Sequence, residues 1–508
     1  MTAIGSVPAI VTALRAAGVL VATPEGAPEH VRGVADDSRR VTAGGLFIAV
    51  RGTERDGHGY IGAARTAGAA LVLAEDPAQA AGGPAIIVRE GRRAASIAAA
   101  AYYGDPAARL TLAAVTGTNG KTTTVGMLRH LCDDATGTRA ASIGTLGVLV
   151  GSAGEPVDAG AGLTTPGPVD LQRVLRLLAD RGAKVVAMEA SSHALAQHRV
   201  DGLRFAAAVF TNLTRDHLDY HGTMEAYRDA KLSLAEHLAP DGTAVVNADD
   251  PAWTAIPSRV RRLTFGLGTG ADVRATGVAY APDGTRFRLT RAADGTSADV
   301  RLPLIGDFNV VNALGAAAAG MALGLGLADV AARLATMPQV PGRLERVGER
   351  PTVLRDYAHT PDALERAMTA VRPFVAGRLI VVFGAGGDRD PGKRPLMGAV
   401  AARHADAIIV TSDNPRTEDP ERIIDAIVAA IPEGRFERIE DRRAAISRAI
   451  AMADPARDLV LLAGKGHEDY QVRGTVKLPF DEAQIVAELL GAQSGARPGA
   501  GAAGRAGA

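Results

Sequence analysis

The sequence predicts an α/β protein of three domains: an N-terminal domain, a central phosphate-loop (P-loop) domain on a parallel sheet, and a C-terminal Rossmann-like α/β domain. Three observations carry this. The chain has 508 residues, more than one hydrophobic core ordinarily serves. Short β-rich apolar runs recur, each closed by a polar or glycine-rich turn, with helical spacing between them. That is the pattern of parallel strands joined by crossover helices. One of these turns, "TGTNGKTTT", has the composition of a phosphate-binding loop.

Residues 1–108 mix strand-like runs, "GGLFIAVRG" and "AALVLAE", with alanine-rich helical segments. "YYGDPAAR" closes this block with Gly, Asp and Pro ahead of a new apolar run. Residues 109–340 hold "LTLAAVTG", "AKVVAMEAS", "FAAAVFTNLT" and "GTAVVNADD", and 271–304 reads as antiparallel and hairpin-like. "MPQVPGR" marks the second boundary. Residues 341–492 carry four runs ending in loaded turns: "TVLRDYAHTP", "RLIVVFGAGGDRD", "DAIIVTSDNPR" and "DLVLLAGKGHED". Ligands of open α/β sheets sit at the carboxyl ends of strands, so these four loops are expected to share one rim. The Gly/Ala-rich tail, 493–508, is expected to be disordered.

Composition narrows the function. Lys+Arg and Asp+Glu both number 56, without the basic excess of a nucleic-acid or anionic-membrane binder. The single cysteine excludes an intrachain disulfide and a zinc site built on several cysteines. Cys132 comes after Val125, Leu128 and Leu131 at helical spacing and reads as core. The first residues lack a basic n-region, and no apolar run approaches the ~18 residues of a membrane span. The expectation is a cytoplasmic protein with small-molecule partners, no nucleic acid and no membrane.

In the phosphate loop, Val115 stands where a Walker A motif has its first glycine. The context is nevertheless strand, tight turn, helix. Gly117 and Gly120 let backbone N–H groups turn inward, and the helix N-terminus adds a positive dipole end. Lys121 offers charge to terminal phosphates and Thr122 a hydroxyl to Mg²⁺. ATP and Mg²⁺ are therefore the expected cofactors. Glu189 ends an apolar run, where a lone carboxylate needs a metal or a partner such as arginine. Ser191 and Ser192 lack the G-x-S-x-G surroundings of a hydrolase nucleophile and read as substrate hydrogen-bonders. By periodicity Lys231 is an ordinary helix lysine, and His217 by itself is more often structural.

The loop "TGTNGKTTT" and, in order, "TTP", "EASSHAL", "TNLTRDHLDYHG", "YRDAK", "DYAHTPDAL", "GGDRDPGKRPLM", "SDNPRTEDP" and "GKGHEDYQ" together resemble the Mur ligases of peptidoglycan synthesis over nearly the whole chain. The resemblance implies separate domains for a UDP-sugar, for ATP and for an incoming amino acid. It also implies ATP-driven amide formation through an acyl phosphate. On the ATP side it implies Gly117, Thr118, Asn119, Gly120, Lys121, Thr122 and Thr123, with Asn309, Arg343 and Asp356 toward base and ribose. For Mg²⁺ it implies Thr122, Glu189, His217 as a ligand of a second ion, and a carbamylated Lys231. Lys121, Lys231 and His217 then form the catalytic group. For the UDP-N-acetylmuramoyl dipeptide it implies Ser38, Thr53, Glu54 and Arg55 at the uridine end, and Thr164, Thr165, Ser191, Gln197 and Arg199 at the peptide. Asp36 and Leu163 depart from the family pattern.

The resemblance also implies the added amino acid, for in this type of ligase the arginine of "DNPR", here Arg416 in "SDNPR", grips a carboxylate, which its guanidinium fork matches, and the family implies the meso isomer. meso-Diaminopimelate has such a group at its far end and lysine does not. Arg389, Asp413, Asn414, Pro415, Gly464 and Glu468 complete the implied pocket of a monomeric enzyme. A structural alternative has Arg416 stapled to Glu418 or Asp419. Two rival functions remain: a folylpolyglutamate synthetase type, which lacks an N-terminal UDP-sugar domain, and a nucleotide-gated binding protein without amide chemistry.

Overall fold

The computed structural model describes residues 4–53, 55–134, 138–160, 163–281 and 283–495. Its contacts divide into two compact units. One comprises Met1–Val278, Arg286–Leu302 and Phe308–Met337, the other Ala279–Thr285, Pro303–Asp307 and Pro338–Ala508.

The first unit holds two sheets with separate cores. The N-terminal sheet orders its strands Leu20–Ala22, Ala85–Val88, Leu71–Ala74, Leu46–Ile48, Val34–Ala35. The first pair is antiparallel and the others parallel. Side chains alternate across a strand. Leu46 and Ile48 thus face helices Val7–Ala16 and Gly91–Tyr102, while Phe47 faces Ile61 and Ala64 of Ile61–Thr66.

The second sheet has eleven strands. At its centre Arg139–Gly144, Ala183–Glu189, Thr111–Thr116, Phe205–Phe210, Leu238–Asn247 and Arg262–Gly266 lie side by side, all parallel. Register fixes where these strands end. Glu189 pairs with Val115, Phe210 with Thr116, and Met188 with Ile143. Four strands therefore end level, and the loops after Gly144, Glu189, Thr116 and Phe210 open on one rim. The hairpin-like segment at 271–304 becomes three sequential strands that extend this sheet, Val273–Ala281, Gly284–Arg291 and Ser297–Leu302.

The sequence separates residues 1–108 from 109–340, whereas contacts group most of both into one unit. The cause is packing across the junction. Helix Pro168–Asp180 lies on Gly91–Tyr102, and Val169 enters the N-terminal core. Arg40 and Asp170 form a two-bond ion pair at 2.8 and 3.0 Å, and Ser96 Oγ donates to His198 O at 2.6 Å.

The second unit carries a six-stranded sheet ordered Glu345–Glu349, Thr352–Asp356, Leu459–Ala463, Leu379–Phe383, Ala407–Val410, Phe436–Arg438. Only the first pair is antiparallel. Asp356 pairs with Ala463, Val382 with Leu462 and Phe383 with Val410, so the four loaded turns share one rim as the sequence predicts. Helix Glu482–Gly495 runs into the segment expected to be disordered; the rest of that tail, and Glu54, lie outside the described residues.

Candidate functional site

Strand Thr111–Thr116 turns at Gly117 (φ 142°) and Gly120 (φ 84°) into helix Lys121–Cys132. Both conformations are left-handed and suit glycine. A Cβ on Gly117 would overlap Thr211 Oγ1, and one on Gly120 would overlap Asn312 Oδ1. The loop is held from the neighbouring strand end. Thr118 N donates to Asn212 O at 2.7 Å and Asn119 N to Asn212 Oδ1 at 3.0 Å. Thr211 Oγ1 donates to Asn119 O at 2.7 Å. Thr118 and Asn119 thus turn their N–H groups to Asn212 rather than inward, because the adjacent strand offers them acceptors. Thr118 Oγ1 lies 3.2 Å from the Tyr227 hydroxyl. Thr122 and Thr123 are buried in the first helical turn.

Two lysines meet on this loop. Lys121 Nζ donates to Gly117 O at 2.9 Å and Thr118 O at 2.7 Å. Lys231 Nζ donates to the same Gly117 O at 2.8 Å. Lys231 is 1% exposed, not the solvated helix lysine that periodicity suggests. Its ammonium lies 4.4 Å from the Tyr227 ring centroid. Burial first, then the nearby Lys121 charge, pulls its pKa well below the usual lysine range.

Glu189 is buried at the end of its strand. Among the described residues it makes no ion pair with arginine. Thr145 donates to it instead, through N to Oε1 at 2.8 Å and through Oγ1 to Oε2 at 3.2 Å. From Glu189 a polar chain runs through the predicted peptide-binding residues. Thr164 Oγ1 lies 3.3 Å from Thr145 Oγ1. Thr165 Oγ1 donates to Glu189 O at 2.8 Å and accepts from Ser191 N at 3.1 Å. Ser191 caps helix Ser192–Ala196. Arg199 donates to Thr165 O at 2.9 Å and, through Nε, to Gln197 Oε1 at 3.1 Å; Gln197 in turn donates to the Tyr220 hydroxyl at 3.2 Å.

His217 has φ 52° and caps the short helix Leu218–His221. Its ring stands edge-on to His193 at 4.7 Å, and His193 lies 5.5 Å from His221. Burial lowers the pKa of all three; that of His193 falls to about 4, with His217 and His221 adding to the effect. The imidazoles are accordingly neutral at pH 7, the form that binds metal. Among the described residues no three His, Cys, Asp or Glu side chains form a ready metal cage.

Asn309 is buried in helix Asp307–Ala322, where its Oδ1 accepts from Asn312 Nδ2 at 3.2 Å, and Asn312 in turn abuts Gly120. In the N-terminal sheet domain, Ser38 is half-buried in a 3₁₀ turn, whereas Thr53 and Arg55 are exposed on a loop that Gly52 N closes onto Arg55 O at 2.8 Å. Among the described residues no hydrogen bond joins these three to the polar chain at Glu189.

In the second unit, Arg343 lies over the Tyr357 ring at 4.9 Å. Burial, opposed by Arg343, pushes the Asp356 carboxyl up to about 6. The Asp413-to-Arg416 turn packs against the loop after Ala463. Asp413, Asn414 and Pro415 are buried, and a Cβ on Gly464 would overlap Asp413 Oδ2. Asn414 Nδ2 donates to Glu468 Oε2 at 2.8 Å. Arg416 has φ 53°, and its Nη1 donates to Gly387 O at 2.7 Å. It is not stapled to Glu418 or Asp419: Glu418 pairs with Arg394 at 2.9 Å, and Asp419 caps helix Pro420–Val428. Arg389 donates to Asp388 O at 3.1 Å on the same glycine-rich loop.

Sequence reasoning passes over Thr145, Asn212, Tyr227, Asn312 and Lys465. Asn212 lies inside "TNLTRDHLDYHG" and Lys465 inside "GKGHEDYQ", so membership of a motif was the available signal for both. Asn312 lies with Asn309 inside "GDFNVVNAL", whereas Thr145 gave no signal, since register and tertiary packing alone bring it in.

Comparison with known proteins covers both units. The "Mur ligase family, catalytic domain" matches residues 30–106, the "Mur ligase middle domain" 115–320, and the "Mur ligase, glutamate ligase domain" 342–466. A Geobacter metallireducens UDP-N-acetylmuramoyl-L-alanyl-D-glutamate–2,6-diaminopimelate ligase is 46% identical over 90% of this chain and 94% of its own. A solved structure of a ligase with that same description aligns at TM-score 0.67 and 35% identity, covering 92% of this chain and 96% of the other. Mycobacterium tuberculosis folylpolyglutamate synthase complexed with ADP aligns at TM-score 0.61 and 19% identity over 80% of this chain and 94% of its own, a likeness of fold alone.

Proposed function

This chain belongs to the Mur ligase family, and from that premise we propose that it joins meso-diaminopimelate to UDP-N-acetylmuramoyl-L-alanyl-D-glutamate at the expense of ATP, in the cytoplasm, as a monomer. The observation that carries the reading is the meeting of Lys121 and Lys231 on one carbonyl, Gly117 O, at the rim where Glu189 ends its strand.

The reaction needs an activated acyl group. ATP phosphorylates the D-glutamyl side-chain carboxylate; the amine of diaminopimelate attacks the acyl carbon, and the C–O bond to phosphate breaks. No side-chain nucleophile is required. Lys121 leaves the loop carbonyls to offset charge on the transferred phosphoryl group, and the loop from Gly117 to Thr123 wraps the polyphosphate, with Thr118 and Asn119 fastened to Asn212 and the helix N-terminus from Gly120 to Thr123 facing it. Thr164, Thr165, Ser191, Gln197 and Arg199 form a preorganised polar wall for the anionic peptide.

Glu189 and Thr122 suit one Mg²⁺, a buried carboxylate without a cationic partner among the described residues and a hydroxyl, few enough for an ion that keeps its waters, and the neutral imidazole of His217 suits a second. Bound there, Mg²⁺ would neutralise phosphate charge. Lys231 fits the carbamate that the family carries at this motif. Its depressed pKa supplies the neutral amine that attacks CO₂, forming an N–C bond and releasing a proton. The domain roles we propose are UDP-sugar binding by 1–108, ATP binding by 109–340 and amino-acid binding by 341–492. Ser38, Thr53, Glu54 and Arg55 then serve the uridine end, and Asn309, Arg343 and Asp356 the adenosine.

Phosphate release tests the reading. It is expected only when the UDP-dipeptide, ATP and diaminopimelate are all present. Release with neither acceptor nor amino acid would point to a nucleotide-gated protein instead.

A further inference from the structure

Among the described residues, Lys465 is the one lysine beside Lys231 in the set of largest fully buried side chains, with 0% of its surface exposed. It stands just past strand Leu459–Ala463 and has no part in the reaction as proposed. A buried ammonium is costly unless its protons are met. Its Nζ lies 3.2 Å from Glu468 Oε2 and 3.3 Å from Asn414 Oδ1. The Tyr470 ring centroid is 5.7 Å away.

These contacts remove the freedom of two pocket residues. Asn414 Oδ1 accepts from Lys465 and, at 2.9 Å, from Val472 N. An amide whose oxygen faces two donors cannot flip, so its Nδ2 must point at Glu468 Oε2, 2.8 Å away. Glu468 Oε2 therefore accepts from both Lys465 and Asn414, while Oε1 accepts from no described residue. One carboxylate oxygen is clamped and the other has no donor among the described residues.

We propose that Lys465 is a positioning and specificity residue: by clamping Glu468 Oε2 and the Asn414 amide it aims Glu468 Oε1 at the distal ammonium of the incoming diamino acid, which shares its carbon with the carboxylate that Arg416 receives. This rests on the amino-acid pocket of the proposed ligase. Lys465 itself touches no substrate. Its charge offsets Glu468 in the free enzyme, so the ammonium enters a site already ordered to receive it.

Steady-state kinetics of Lys465→Met, Lys465→Arg, Glu468→Gln and the double variant, with each substrate varied in turn, tests this. Lys465→Met is expected to raise the KM for the amino acid roughly 30-fold or more, the usual effect of truncating one partner of a buried charge pair. The KM values for ATP and UDP-dipeptide should stay within about twofold of wild type, and Lys465→Arg, which keeps the charge in a tighter fit, should lose less than Lys465→Met. Glu468→Gln removes the charge that Lys465 answers, so the double variant should fold even if Lys465→Met does not. Its amino-acid KM should equal that of Glu468→Gln alone. A double variant worse than Glu468→Gln, or equal losses for all three substrates, overturns the proposal. Wild-type turnover on a panel of diamino acids is measured first, and the variants are run on the amino acid that it takes. A wild-type enzyme that refuses diaminopimelate contradicts the substrate assignment, whereas an unchanged KM in Lys465→Met contradicts only the role of Lys465.

Discussion

Single side chains decide the chemistry, and two of them separate function from packing. Lys231 is buried against Tyr227, shares Gly117 O with Lys121, and holds its proton weakly. Lys231→Ala is expected to lower kcat by roughly 10²- to 10³-fold, the scale seen on removing one electrostatic stabiliser. Native mass spectrometry of gently handled protein should show one added CO₂, lost in mild acid together with activity and regained with bicarbonate. An unmodified Lys231 in fully active enzyme contradicts the carbamate. Arg416 holds Gly387 O and, although its charge reaches Asp388, makes no close ion pair with an acid among the described residues, which leaves its guanidinium fork for a carboxylate. Arg416→Ala should raise the diaminopimelate KM by about 10- to 100-fold, the value of a charge-assisted bond, with ATP affinity unchanged. Wild-type kinetics in that variant would return Arg416 to loop packing. Periodicity made Lys231 a surface lysine, because spacing along one helix says nothing of what packs over it.

At the scale of elements, the phosphate loop works because two glycines permit a path that the neighbouring strand end then locks. Asn212 and Thr211 fasten Thr118 and Asn119, and Asn312 closes on Gly120. Gly120→Ala combines a left-handed φ with overlap on Asn312 Oδ1. It should weaken ATP binding at least about tenfold by calorimetry while the melting temperature falls only a few degrees, since strain of ~1–3 kcal/mol is confined to the loop. ATP binding at wild-type strength would mean that the loop does not carry the triphosphate. The strand–turn–helix order was legible because glycine, lysine and threonine each leave a local mark. The fastening from Asn212 was not, since it comes from a strand nearly a hundred residues away whose register only the fold supplies.

Over the whole molecule, the level ends of parallel strands gather the motifs into two rims, one in each unit. That gathering was readable as a repeated strand-then-polar-turn grammar, most clearly in residues 341–492, where each of four apolar runs ends in a loaded turn. The union of the N-terminal sheet with the central one was not readable, because it depends on long-range pairs such as Arg40 with Asp170 and Ser96 with His198. Thr53 and Arg55, placed by motif alone, lie on an exposed loop with no hydrogen bond to the polar chain among the described residues. The identity of the added amino acid decides the function. Incubating the protein with ATP, the UDP-muramoyl dipeptide and a panel of diamino acids, then weighing the product, tests it most directly. A mass gain of one diaminopimelate less one water, with lysine left unused, is the predicted result; a lysine adduct, or an unchanged dipeptide in the presence of every member of the panel, would contradict it.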